Sequence, residues 1–335
     1  MNAGDRAYEL VNGFRTTQIV HAAVELRIPD LVADGQESAA DLARATGIDP
    51  SRLRRLLRVL VALGVLSESS EGSFANTEVG ELFRTDAPGS RRPLVRMLVP
   101  ESYRSWDHLM ETLRTGVVSH QLTHGSTLWE HIARDPDYGA RFNAAMAGNT
   151  EHLAQFVSEA GDFSHAALAV DVGGGEGSLI AGVLGAHPGL RGIVYDLAAG
   201  LPQTADYLSS HGLADRCSLV EGNFFESVPP GDVYLLKDIL HDWDDEKATA
   251  ILRVCRREMK PDARLMIVER MMPSRVTTSA AHLNAVITDL QMMVQLGGQE
   301  RTLEEFEALL DAALLKLAKL TPGGVYQLIE VMPAD

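Results

Sequence analysis

The 335-residue chain has only two cysteines, Cys217 and Cys255. That argues against a disulfide framework, and without a C-x-x-C spacing no metal site is expected. Long apolar runs are also missing. Even "LLRVLVALGVL" holds Arg58, and no stretch approaches the roughly 18 residues of a membrane span. The start, "MNAGDRAYEL", lacks the apolar core of a secretory signal. Positive charge is in deficit, with 30 Lys plus Arg against 46 Asp plus Glu and a net charge of −16. This argues against global attraction to nucleic acid or anionic membranes. No internal repeat or low-complexity tract stands out. With 45% hydrophobic and 23% charged residues, a cytoplasmic, globular protein of about two domains is expected.

What is present begins with helices. In "DPSRLRRLLRVLVALGVL", Leu53, Leu56, Leu57, Leu60 and Leu63 recur every three or four positions, with Asp49 or Ser51 as N-cap. "ESAADLARATGI" reads as a shorter amphipathic helix with a glycine stop, and "VLSESSEGSFANTEVG" as a small hairpin. Two helices and a hairpin suggest a winged helix. Its arginines (Arg52, Arg54, Arg55, Arg58) invite a DNA-binding reading; the acidic balance and the apolar face at 57–66 favour dimerisation. Residues 101–165 read as connecting helices with an aromatic and methionine stripe, either core or the lining of an apolar pocket.

From residue 166 strands and helices alternate. "ALAVDVG", "GIVYDL", "CSLVEGNFF", "DVYLLKDIL" and "ARLMIVER" are apolar runs separated by helical stretches, the pattern of a doubly wound parallel sheet. Ligands in such sheets sit at the carboxyl ends of the strands. "AVDVGGGEGSL" places Gly173, Gly175 and Gly177 just after the first strand, where a tight turn brings ligand against backbone. Ser178 breaks the dinucleotide pattern, and Asp171 suits a cationic ligand better than a pyrophosphate. Asp196 ends the next strand at about the 20-residue separation of a ribose-binding carboxylate. Asn223 and Phe224 end the third, an amide and an aromatic face for an adenine. "LKDILHDWDDEKA" sets His241 at a strand-to-helix turn, as a core residue, a cap or a base.

Taken in order, "VDVGGGEGSL", "YDL", "EGNFFESVP", "LLKDILHDWDDEKA", "IVER" and "GGQERTLEEF" resemble the small-molecule S-adenosylmethionine-dependent O-methyltransferases. That family includes caffeic acid O-methyltransferase and bacterial enzymes that tailor aromatic polyketides and antibiotics. The resemblance implies an α/β class I methyltransferase fold, a Rossmann-like doubly wound sheet at 166–335. It also implies a mostly helical winged-helix dimerisation domain at 1–98 and linker helices at 99–165 contributing to the substrate pocket. It implies a homodimer that binds S-adenosyl-L-methionine, releases S-adenosyl-L-homocysteine and methylates a phenolic or quinone-type acceptor.

In that resemblance His241 is the general base, oriented by Glu269 and Glu300. A phenol with a pKa near 10 needs such a base, and an imidazole near 6.5 is a usable one. Gly173, Gly175, Asp196, Asn223, Phe224, Lys237, Trp243 and Thr150 fall at cofactor positions. Trp129, Phe142, Met146, Asp289 and Met293 fall in the acceptor-pocket region. Three departures stand out: Asn223 where the family often has Asp, "DLAAGLP" for "DLP", and "ALLKLAKL" near the usual "AGF". Some relatives of this fold hydroxylate, decarboxylate or cyclise instead. A nicotinamide dehydrogenase and a ligand-sensing DNA-binding regulator are weaker alternatives.

Overall fold

The five apolar runs after residue 166 form β3 (Leu168–Val172), β4 (Arg191–Asp196), β5 (Cys217–Glu221), β6 (Val233–Lys237) and β7 (Arg264–Arg270). In the computed structural model, which describes residues 2–334 apart from the side chains of Pro100, Asn149, Glu151 and His152, these strands pair in parallel. Two more, β8 (Leu315–Gly323) and β9 (Tyr326–Pro333), extend the sheet with antiparallel pairing on β7. The order is β5-β4-β3-β6-β7-β9-β8. The sheet is therefore mostly rather than wholly parallel, and the chain reverses its direction of winding between β3 and β6. Ligand crevices in open α/β sheets open at that point.

Each central strand is apolar on both faces because each face is covered. Side chains alternate across a strand, so Tyr234 and Leu236 join a core with Val170, Ile251 and Ile267. Val233 and Leu235 join the opposite core with Val194, Ile180 and Val268. Burial on both sides turns the usual in/out alternation into a continuous apolar run.

The chain divides into two compact units, Met1–Tyr103 with Ala144–Gly148, and Arg104–Asn143 with Asn149–Asp335. The first has the helices Ala39–Thr46 and Pro50–Ala62, then β1 (Leu66–Glu68) and β2 (Phe74–Asn76) paired antiparallel. Asp49 caps the second helix by accepting from the Arg52 N–H, and Gly47 ends the first at φ 69°. Leu53, Leu57 and Leu60 enter a core with Ile28, Leu42 and Phe74. On the preceding helix, Ala3–Glu25, the residues Tyr8, Leu10, Val11 and Phe14 are exposed. Among the described residues, no helix is long and apolar enough to cross a membrane.

Candidate active site

The chain leaves β6 through a strained residue. Asp238 has φ 52°, in the left-handed region that costs a non-glycine residue about 1–2 kcal/mol. Its carboxylate accepts from Lys237 Nζ at 2.6 Å, Tyr326 Oη at 3.0 Å and Arg270 at 3.5 Å. Burial opposes its charge, but Lys237, His241 and Arg270 outweigh that and hold the carboxyl well below its usual range. The next residues form a single 3₁₀ turn, Leu240–Asp242, and Asp244 then caps the helix Asp245–Glu258.

Glu269, fully buried at the end of β7, organises that turn. Its Oε1 accepts the backbone N–H groups of Ile239 at 3.0 Å, Leu240 at 2.8 Å and His241 at 3.4 Å. Its Oε2 lies 3.5 Å from His241 Nδ1 and has no hydrogen-bond partner among the described residues. Glu300 Oε1 takes Nδ1 at 2.9 Å. One imidazole nitrogen is thus held between two carboxylates, while Nε2 lies 3.4 Å from Asp242 Oδ1. This arrangement fixes the ring and its tautomer, as an orienting carboxylate does for a catalytic base.

The electrostatics follow from five ionisable groups crowded together, most of them buried. Burial disfavours the imidazolium, but Glu269, Glu300, Asp242 and Asp238 outweigh it, so His241 is pushed up to about 10. Burial likewise pushes Asp242 up to about 8 and Glu269 up to about 7. The cluster therefore holds protons in common, and its titration belongs to the group rather than to one residue.

Two residues that sequence reasoning missed hold the turn from the other side. Arg301 is 1% exposed. Its guanidinium donates to the carbonyls of Leu240 at 2.8 Å and Trp243 at 2.7 Å and to Asp245 at 3.0 Å. At Gly298 a Cβ would sit 2.0 Å from the His241 carbonyl oxygen, so only glycine allows the approach that lets Gln299 N–H donate there. Both lie in "GGQERT", where Glu300 alone had been singled out.

The glycine turn lies across the switch point, at the end of β3. Gly173, at φ 71°, abuts Ile239, whose side chain would be 2.4 Å from a Cβ there. Gly175 N–H donates to Asp196 Oδ2 at 2.8 Å, and Leu197 N–H to Oδ1 at 2.6 Å. Around Gly175 an added Cβ would meet nothing within 4 Å among the described residues. Open space over a bare backbone turn, beside a strand-end carboxylate with spare lone pairs, fits a ribose-bearing ligand. Phe224 and Phe225 meet Trp243 edge-on, at 6.3 and 4.8 Å between centroids. Buried Trp243 Nε1 has no partner among the described residues, a donor left for a polar group of a ligand.

The remaining expected positions sort unevenly. Trp129 stacks on Trp243 at 6.4 Å and meets Phe142 edge-on at 5.8 Å, so three expected aromatics come together. Asp289 Oδ1 accepts the Glu300 N–H at 2.9 Å. Met293 is half-buried on the same helix, Ala280–Gln295. Thr150 is buried in the helix Pro136–Ala160, and Met146 belongs to the first unit. Lys237 Nζ donates to Asp238, and Asn223 forms a local turn with Phe225 and Glu226. Asp171 corrects an expectation. It does not point at a ligand but is buried, its Oδ2 accepting the Ile180 N–H at 3.3 Å, and burial pushes it up to about 7.

Residues 106–315 match the O-methyltransferase domain model, and residues 8–86 match the O-methyltransferase dimerisation domain model. The mitomycin biosynthesis 6-O-methyltransferase of Streptomyces lavendulae is 36% identical over 99% of this chain and 95% of that protein. The crystal structure of LaPhzM superposes with a TM-score of 0.94 at 35% identity, covering 99% of this chain and all of that one. An O-methyltransferase of neocarzinostatin biosynthesis, NcsB1, was solved with S-adenosylmethionine and 2-hydroxy-5-methyl naphthoic acid. It superposes with a TM-score of 0.82 at 31% identity, over 95% of this chain and 96% of that one.

Proposed function

The chain belongs to the S-adenosylmethionine-dependent O-methyltransferases, and from that premise we propose that it methylates a hydroxyl of a phenolic or quinone-type secondary metabolite with His241 as general base. The observation that carries the reading is His241 Nδ1 held between Glu269 and Glu300 at the switch point of the sheet.

When bound, S-adenosylmethionine supplies the electrophilic methyl group and leaves as S-adenosylhomocysteine. Gly173, Gly175, Asp196, Asn223, Phe224, Lys237, Trp243 and Thr150 are our candidates to hold it. Asp196 takes the ribose hydroxyls, and Trp243 and Phe224 give the adenine apolar faces. Trp129, Phe142, Asp289 and Met293 shape the acceptor pocket.

His241 takes the acceptor's proton at Nε2, and Glu300 and Glu269 stabilise the imidazolium that results. A base pushed up to about 10 is matched to a phenol near 10, so the proton passes between them with little free-energy cost. The reactive complex needs one proton fewer than the free enzyme holds at neutral pH. Activity therefore rises with pH.

The exposed Tyr8, Leu10, Val11 and Phe14 on Ala3–Glu25 support a homodimer built on the matched dimerisation region. The buried free thiols of Cys217 and Cys255 suit a reducing cytoplasm. The domain boundaries we favour remain 1–98, 99–165 and 166–335.

The test is incubation with methyl-labelled S-adenosylmethionine and a panel of phenols, quinones and polyketide aglycones, with mass analysis of both products. Methylated product with one S-adenosylhomocysteine per turnover is expected. His241→Ala should keep cofactor affinity and lose transfer. An unchanged rate in that variant removes the base role. Substrate conversion with intact cofactor points to hydroxylation, decarboxylation or cyclisation on the same fold.

A further inference from the structure

Three histidines outside the His241 cluster converge in the second unit. His120 and His124 lie one turn apart on the helix Ser119–His124, and His131 lies on Leu128–Arg134. Positions i and i+4 share a helix face. Gly125, at φ 68°, ends the first helix, and Thr127 with Glu130 forms a capping box for the second. The short turn between them folds His131 back onto the pair. Ring centroids are 4.4 Å apart for His120–His124, 4.6 Å for His124–His131 and 5.3 Å for His120–His131. One ring nitrogen from each lies within 4.8 Å of the others.

We propose that His120, His124 and His131 form a binding site for a borderline divalent transition-metal ion such as Zn²⁺. Three features carry this. First, His120 Nε2 and His131 Nδ1 are 3.2 Å apart. Tetrahedral Zn²⁺ with Zn–N bonds of about 2.0–2.1 Å separates its ligand nitrogens by about 3.3–3.4 Å. Second, His120 Nδ1 lies 3.1 Å from Gln295 Oε1. A carbonyl oxygen only accepts, so Nδ1 carries the proton and Nε2 presents a lone pair to the cluster. An outer hydrogen bond that fixes the tautomer is the usual support of a metal-binding histidine. Third, the donor set is all imidazole. That suits Zn²⁺, Co²⁺, Ni²⁺ or Cu²⁺ and not the oxygen-seeking Mg²⁺ or Ca²⁺.

Burial helps. His120 is fully buried, so packing as well as Gln295 holds its ring in place. The ring of Tyr138, 1% exposed, closes one side, 4.9 Å from His131. Three imidazoles leave a fourth position for water or a ligand oxygen. Through Gln295 the ion ties the two short helices to Ala280–Gln295, the helix whose Asp289 holds the Glu300 backbone. The site acts as a clip on acceptor-side helices and does not depend on the methyl-transfer reading.

The experiment uses tag-free, full-length protein, stripped with EDTA and titrated with ZnCl₂ by calorimetry and with CoCl₂ by visible absorption. One ion per chain is expected, with a Kd of about 1 µM or tighter, Co²⁺ bands of low coordination number, and a melting temperature that rises with metal. His124→Gln and His131→Phe should abolish this while melting like the parent in EDTA. Gln295→Leu should weaken binding by about 10–100-fold. Asp238, His241 and Glu269 also come close enough to ligate, so His241→Ala is the control and should bind normally. Binding weaker than about 100 µM, binding unchanged in both histidine variants, or binding lost only in His241→Ala would each overturn the proposal.

Discussion

Replacing Glu300 with glutamine separates the charge at His241 from the shape of its pocket. Glutamine keeps the side-chain length and an Oε1 acceptor, now 2.9 Å from Nδ1. It removes one of the carboxylates that push His241 up to about 10. A hydrogen bond to a charged group is worth about 1.5–3 kcal/mol and one pKa unit about 1.4 kcal/mol, so His241 should drop by about 1–2 units. The base acts in its deprotonated form, and kcat/KM rises as pH climbs through this pKa. In the parent that rise should lie well above 6.5. In Glu300→Gln it should move to lower pH by about 1–2 units, while the plateau falls about 10–100-fold because the imidazolium is less stabilised. The deficit therefore shrinks as pH falls. The assay is S-adenosylhomocysteine release with one acceptor in both proteins, so the acceptor's own ionisation cancels. A purely structural Glu300 would lower the whole profile without moving it. A rise that stays in place, or moves to higher pH, refutes the electrostatic account.

Arg301→Lys keeps the charge but not the planar fork that reaches Leu240, Trp243 and Asp245. It should cost about 2–4 kcal/mol in urea unfolding, and a loss below about 0.5 kcal/mol would show that the turn holds without it. Leu314, 68% exposed at φ 57° after the helix Leu303–Ala312, sits where glycine is at ease. Leu314→Gly should raise stability by about 0.5–1 kcal/mol, read as a higher urea midpoint at unchanged slope. Asp171 is raised to about 7 from an ordinary 3.8, so folding favours its protonated form. That stability is full below 3.8 and is lost as pH rises to about 7, on the order of 4 kcal/mol at most. Asp171→Asn should melt with less loss between pH 5 and 8 than the parent, and equal slopes would rule out Asp171 as the source.

How far the sequence reaches depends on whether a residue's partner is local. The central parallel strands β3, β6 and β7 were readable because burial on both faces leaves continuous apolar runs. The edge strand β8, "LKLAKLTPG", carries two lysines and a proline and is largely half-buried or exposed. Edge strands are protected by just such residues, so the features that protect it also hid it. His241, Glu269 and Glu300 were found through motif order. Arg301 and Gly298 stood in the same motif, but their purpose is the backbone at 240–243, nearly sixty residues away, and nothing in "GGQERT" announces that. The histidine trio shows a similar limit: the H-x₃-H spacing is visible, but the third member converges only because the chain turns at Gly125.

The departures from the family pattern follow the same physics. Leu314, in the "ALLKLAKL" stretch that departs from the family's "AGF", takes a left-handed conformation at φ 57°, so that stretch carries local strain as well as different packing. Asn223 behaves differently. Its Oδ1 accepts the Phe225 N–H at 3.0 Å, as an aspartate would, while its Nδ2 donates to Glu226 at 3.2 Å. Aspartate there would place two carboxylates against each other. The amide is thus matched to Glu226, and the turn that carries Phe224 toward Trp243 keeps its shape. Introducing Asp at 223 alone should then loosen this turn, and only the pair Asn223→Asp with Glu226→Gln should recover it.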